Sequence, residues 1–107
     1  MKTATQEILI DIKNLLTQNY PDEVINVILF GSQSKGELKN DSDFDILVVL
    51  KNTVSWKKEK AINDLFYQVD LKYGIVTDTH ILSEKEMESV RGKQPVYINA
   101  LTNGIYA

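Results

Sequence analysis

This 107-residue chain contains no cysteine, so disulfides and thiolate metal sites are excluded; that suits a cytoplasmic location. No stretch approaches about 20 consecutive apolar residues, and the first residues lack the apolar centre of a secretory signal, so neither a membrane span nor export is expected. There is no excess of positive charge either. Twelve Lys and Arg stand against 15 Asp and Glu, a net charge of −3, which supplies no global basic field for nucleic acid. Internal repeats, low-complexity runs and linkers are missing, and the length predicts one domain over residues 1–107 with a single core. That is too little chain for separate template-binding modules.

What the chain has is concentrated between residues 24 and 50. The nearly unbroken apolar run Val24–Phe30 predicts a buried strand. It ends at Gly31-Ser32-Gln33-Ser34-Lys35-Gly36, which reads as a tight turn and a short helix through about residue 37. Gly31 admits close backbone approach, Ser32 offers a hydroxyl, and the free N–H groups of a helix start suit an anion the size of a phosphate. Lys35 is the cation of this turn, solvated unless a triphosphate reaches it. Ser42 either caps the turn into the next strand or contacts a nucleotide.

Asp43 and Asp45 then open the apolar run 46–50. Two residues apart on a strand, they leave the same face about 6.5–7 Å apart, close enough to converge on one or two ions. Such a pair repels itself unless a cation intervenes. Oxygen ligands in a cysteine-free chain favour Mg²⁺ or Mn²⁺ over zinc, and Mg²⁺ commonly shares its shell with phosphate oxygens. Turn and acids together point to a nucleoside triphosphate. Two-ion phosphoryl chemistry calls for a further carboxylate. Alternation in residues 75–82 supplies Asp78 on a strand face shared with Val76, His80 and Leu82. For His80, the only histidine, a structural or exposed role is the expectation.

Gly31-Ser32-x-x-x-Gly36, ten residues between Ser32 and Asp43-x-Asp45, and a later strand with central Asp78 resemble the nucleotidyltransferase superfamily typified by DNA polymerase beta. The length resembles its smallest branch, the minimal nucleotidyltransferases, which stand alone or act as antitoxin to a helical HEPN toxin. The resemblance implies an α/β (α+β) fold, a small mixed β-sheet flanked by helices. It also implies Mg²⁺-dependent transfer of a nucleoside monophosphate, from ATP by family habit, to an acceptor hydroxyl such as a toxin tyrosine, with pyrophosphate released. By the same resemblance Gly31 and Ser32 would bind the triphosphate, and Asp43, Asp45 and Asp78 would hold two ions (Mg²⁺, with Mn²⁺ as substitute); Lys35, in a turn where many relatives carry Arg, and Ser42 are the further candidates for nucleotide binding that the residues themselves offer. Asp78 would also orient or deprotonate the acceptor. The alternative is an antitoxin that neutralises a helical partner by complex formation, with weak or no catalysis.

The rest of the chain reads as support. Ile8, Ile12, Leu15 and Leu16 predict an amphipathic helix over 5–19, stopped by Tyr20-Pro21-Asp22. Ser55 should cap a second helix to about Tyr73, with Ile62, Leu65, Phe66 and Val69 as its stripe, Gly74 as terminator and Asp70 facing solvent. Lys57-Lys58-Glu59-Lys60 beside Trp56 reads as a wet face. Ser83-Glu84-Lys85-Glu86 is a capping box for a third helix, Pro95 opens a fourth to about 103, and residues 104–107 form an extended tail. Tyr97 and Tyr106 pack the sheet or a partner.

Overall fold

The computed structural model describes residues 4–30, 44–89 and 93–107. Eight elements follow in chain order: α1 (Ala4–Asn19), β1 (Val24–Phe30), β2 (Phe44–Leu50), α2 (Trp56–Tyr73), β3 (Thr77–Ser83), α3 (Glu84–Glu88), α4 (Pro95–Asn103) and β4 (Ile105–Tyr106). The strands form one mixed sheet in the order β3-β2-β1-β4. β1 runs antiparallel to β2, whereas β2 and β3 are parallel, the connection that needs a crossover and finds it in α2.

Alternation along the strands divides the core in two. Val27, Leu29, Phe44, Ile46, Val48, Leu50 and Ile81 face α1 and α2, meeting Ile8, Leu9, Ile12 and Leu16 of the first helix and Ile62, Phe66 and Val69 of the second. Ile28, Phe30, Leu47, Val49 and Leu82 face the other way, towards Tyr97 and Ala100 of α4. Central strands buried on both faces explain why β1 and β2 read as continuous apolar runs rather than alternating ones. Each fully buried Leu, Ile or Val contributes about 1.5–3 kcal/mol.

The helix ends follow the expected chemistry. Ser55 accepts from the Lys58 N–H, Gly74 closes α2 with φ 66°, and Ser83 and Glu86 form a reciprocal capping box at α3. One reading gains a partner and another needs correction. The tail over residues 104–107 is extended as read, and it also joins the sheet, because Ile105 and Tyr106 pair antiparallel with Leu29 and Ile28 as β4. Asp70 does not simply face solvent, since its Oδ1 accepts from the Thr77 N–H at 3.1 Å and so ties the end of α2 to the start of β3. Among the described residues no helix is long and apolar enough to cross a membrane.

Candidate functional site

The parallel register places Phe44 beside Thr77, Asp45 beside Asp78 and Leu47 beside His80. A single backbone bond from the Phe44 N–H to the Val76 carbonyl, 2.8 Å, starts this pairing. On the other side of β2, Asp45 is the register partner of Phe30, the last residue of β1. The leaving end of β1 and the entering ends of β2 and β3 therefore meet at one corner of the sheet. Asp45, Asp78 and His80 project from the same face as Leu47, Val49 and Leu82, the face that α4 covers further along.

At that corner one ligand atom from each of Asp45, Asp78 and His80 lies within 4.8 Å of the other two. Asp78 is exposed, while Asp45 and His80 are half-buried. The imidazole sits between two aromatic rings, with ring centroids 5.5 Å from Phe30 and 5.7 Å from Tyr97 in an edge-on arrangement. Its Nδ1 lies 3.3 Å from the Tyr97 hydroxyl and its Nε2 lies 3.5 Å from an Asp78 oxygen. Two carboxylates on adjacent parallel positions repel each other, and a divalent cation removes that repulsion. Hard oxygen donors at this spacing fit such an ion.

Of the residues marked in the sequence, Asp45 and Asp78 are brought together. Gly31, Ser32, Lys35, Ser42 and Asp43 lie outside the described residues. His80 is half-buried against Phe30 and Tyr97, which suits the structural role expected of it, and it also stands beside the two acids. The alternation that put His80 on the face of Asp78 was the available signal. Tyr97 gave none, since it reaches the site from α4 through tertiary packing. The lysines following Trp56 do not act as one strip: Lys58 pairs with Glu23 at 2.7 Å, and Lys57 lies 5.8 Å from the ring of the exposed Trp56.

Residues 9–106 match the family described as Nucleotidyltransferase domain. Among curated proteins, two from Methanocaldococcus jannaschii carry the name "Putative protein adenylyltransferase". MJ1305 is 29% identical over 79% of this chain and 58% of its own length, and MJ0141 is 31% identical over 65% and 71%. The chain thus spans little more than half the length of the first of these relatives. Another protein of that organism with the same name, MJ1215, is 33% identical over 76% of this chain and 95% of its own. Two solved structures of mutants of the toxin-antitoxin MntA-HpeT superpose with TM-scores of 0.56 and 0.57. They are 23% and 24% identical, covering 90% and 91% of this chain and 68% of theirs, a likeness of fold. With the mixed sheet and the acidic corner in place, the chain belongs to the nucleotidyltransferase domain family.

Proposed function

We propose that the chain transfers a nucleoside monophosphate from a triphosphate, ATP by preference, to a hydroxyl on a protein, in a reaction that depends on Mg²⁺ or Mn²⁺. The observation that carries this reading is the convergence of Asp45 and Asp78 across parallel strands in a chain of this family. The acceptor oxygen attacks the α-phosphorus, a new P–O bond forms, and the bond to pyrophosphate breaks. A divalent ion, when bound, screens the negative charge that gathers on the transferring group.

The chain's own residues divide the remaining work. Asp45 and Asp78, with Asp43, would hold the ions. Gly31 and Ser32, with Lys35 and Ser42, would hold the triphosphate by backbone N–H groups, hydroxyls and one ammonium. Asp78 is the exposed acid of the pair, on the outermost strand β3, which supports it as the group that would orient an incoming hydroxyl and accept its proton. The adenylyltransferase name of the relatives supports adenylate as the group and a protein as the acceptor.

A second reading, neutralisation of a helical partner by complex formation alone, is favoured by a different observation. Val96, Ile98 and Leu101 of α4 and Tyr106 of β4 are 36–49% exposed, and the Tyr106 hydroxyl bonds to the Leu101 carbonyl, which draws two of them together. One assay separates the readings: the purified chain with Mg²⁺, ATP labelled at the α-phosphate, and a candidate helical partner. Label on the partner, lost in Asp45→Asn and Asp78→Asn, supports transfer. Stable association without label supports masking, and full transfer by both variants rejects the site.

A further inference from the structure

The imidazole of His80 is held in a way that a purely packing role does not explain. Its Nδ1 edge is satisfied by the Tyr97 hydroxyl at 3.3 Å, and Tyr97 is itself buried at 7% exposure, so the ring is fixed from behind. Phe30 and Tyr97 wall it on either side. This leaves Nε2 aimed at the carboxylate corner, with Asp78 Oδ2 3.5 Å away. That separation is long for an N–H···O bond, which centres near 2.9–3.0 Å. Yet two donors that each sit about 2.0–2.2 Å from one ion stand about 3–3.5 Å apart. A ligating histidine typically presents one nitrogen to the metal while its other N–H is anchored by an oxygen, as Nδ1–H is when it donates to Tyr97 Oη.

We propose that His80 is a nitrogen ligand of the divalent ion held by Asp45 and Asp78, and that it turns the site towards transition-series ions at the expense of Mg²⁺. The inference rests on the site reading above and deepens it by naming the ion class. The physical basis is donor hardness. Mg²⁺ prefers an all-oxygen shell and gives up water reluctantly, whereas affinity for nitrogen donors rises along the first-row series from Mn²⁺ onward. Tyr97 is a positioning residue here: it touches the imidazole and sets which nitrogen carries the hydrogen.

The test uses Mn²⁺ as probe, alone and with tripolyphosphate as a base-free triphosphate, on the unmutated chain and on His80→Ala, Tyr97→Phe and Asp45→Asn. Free Mn²⁺ is followed by electron paramagnetic resonance, Mg²⁺ is titrated in competition, and pulsed spectra of bound Mn²⁺ are read for coupling to a directly bound ¹⁴N. The unmutated chain should show that coupling and bind Mn²⁺ at least about tenfold more tightly than Mg²⁺. His80→Ala should lose the coupling and about tenfold or more in Mn²⁺ affinity, with a much smaller change for Mg²⁺; Tyr97→Phe should keep the coupling but weaken Mn²⁺ by about tenfold. Bound Mn²⁺ without nitrogen coupling in the unmutated chain overturns the role of His80 and leaves the carboxylate site standing. No Mn²⁺ binding under either condition overturns both. Because the decisive spectrum is taken on the unmutated chain, a variant that fails to fold does not shelter the proposal.

Discussion

Asp45 and Asp78 are register partners on adjacent parallel strands, so two acids stand side by side on one face of the sheet. Like charges so placed repel, and the His80 imidazole 3.5 Å from Asp78 offsets only part of that. Asp78→Asn should therefore raise the free energy of unfolding by about 0.5 kcal/mol when metal is chelated. In millimolar Mn²⁺ the order should reverse, because an ion that binds only the folded chain stabilises the native protein and not the variant. Urea titrations with and without chelator measure both. A variant less stable than the parent under chelation would show that the carboxylate is held by stronger favourable contacts than the corner displays.

Gly104 and Gly74 should respond to alanine for different reasons. A Cβ at Gly104 would lie 2.4 Å from the Ala100 carbonyl oxygen, 2.4 Å from Ile28 Cγ2 and 2.9 Å from the Leu29 carbonyl oxygen, so the end of α4 could no longer lie against β1. Gly104→Ala should cost about 1–3 kcal/mol and release β4 first, seen as faster amide exchange at Ile105 and Tyr106. At Gly74 a Cβ meets nothing within 4 Å, but φ is +66°. Gly74→Ala should cost about 1 kcal/mol, through backbone strain alone. Equal behaviour of the two variants would contradict the distinction.

Acid should weaken the fold through two carboxylates that fasten separate elements. Glu23 is held below the usual carboxylate range by its bond from Lys58 and then by Asn52. Asp11 is lowered by the Tyr73 hydroxyl and then by Lys72, and so links α1 to α2. For a depressed native value the stabilisation is complete above the ordinary range, about pH 5 and higher, and drains away as pH falls through it. Glu23→Gln should thus be destabilising at pH 7, and the gap to the parent should close below about pH 4. Asp11→Asn should behave likewise but more weakly, since its partner Lys72 is 66% exposed against 22% for Lys58. Thermal unfolding across pH 3–7 checks the sign for each.

Much of the scaffold was legible because it rests on local rules. The stripe Ile62, Phe66, Val69 fixed the inward face of α2, Ser55 and Gly74 marked its ends, and Ser83 with Glu86 announced α3. The extended run at Ile105 and Tyr106 was read, but its pairing escaped because two residues are too few to show alternation and the partner on β1 is 76 positions away from Leu29 to Ile105 in the chain. Asp70 was misplaced for a similar reason. Helical periodicity sets it off the apolar stripe, but its bond goes to the Thr77 N–H, beyond the turn at Gly74, where periodicity says nothing. For the site, alternation assigned Asp78 and His80 to one face, while their level relative to Asp45 depends on packing of the crossover and could not be read. Nor could the approach of Tyr97, which crosses from another layer.

The crossover that joins β2 to β3 works as a caliper. From Leu50 to Thr77 the chain climbs one face of the sheet and returns in parallel, and the seating of β3 against β2 decides which side chain halts beside Asp45. A slip of β3 by one residue against β2 would swing Asp78 and His80 together to the α1–α2 side and deliver Thr77 or Thr79 in their place. Loss of chemistry in this protein can therefore arise by a shift in spacing, with every acidic residue still present in the chain.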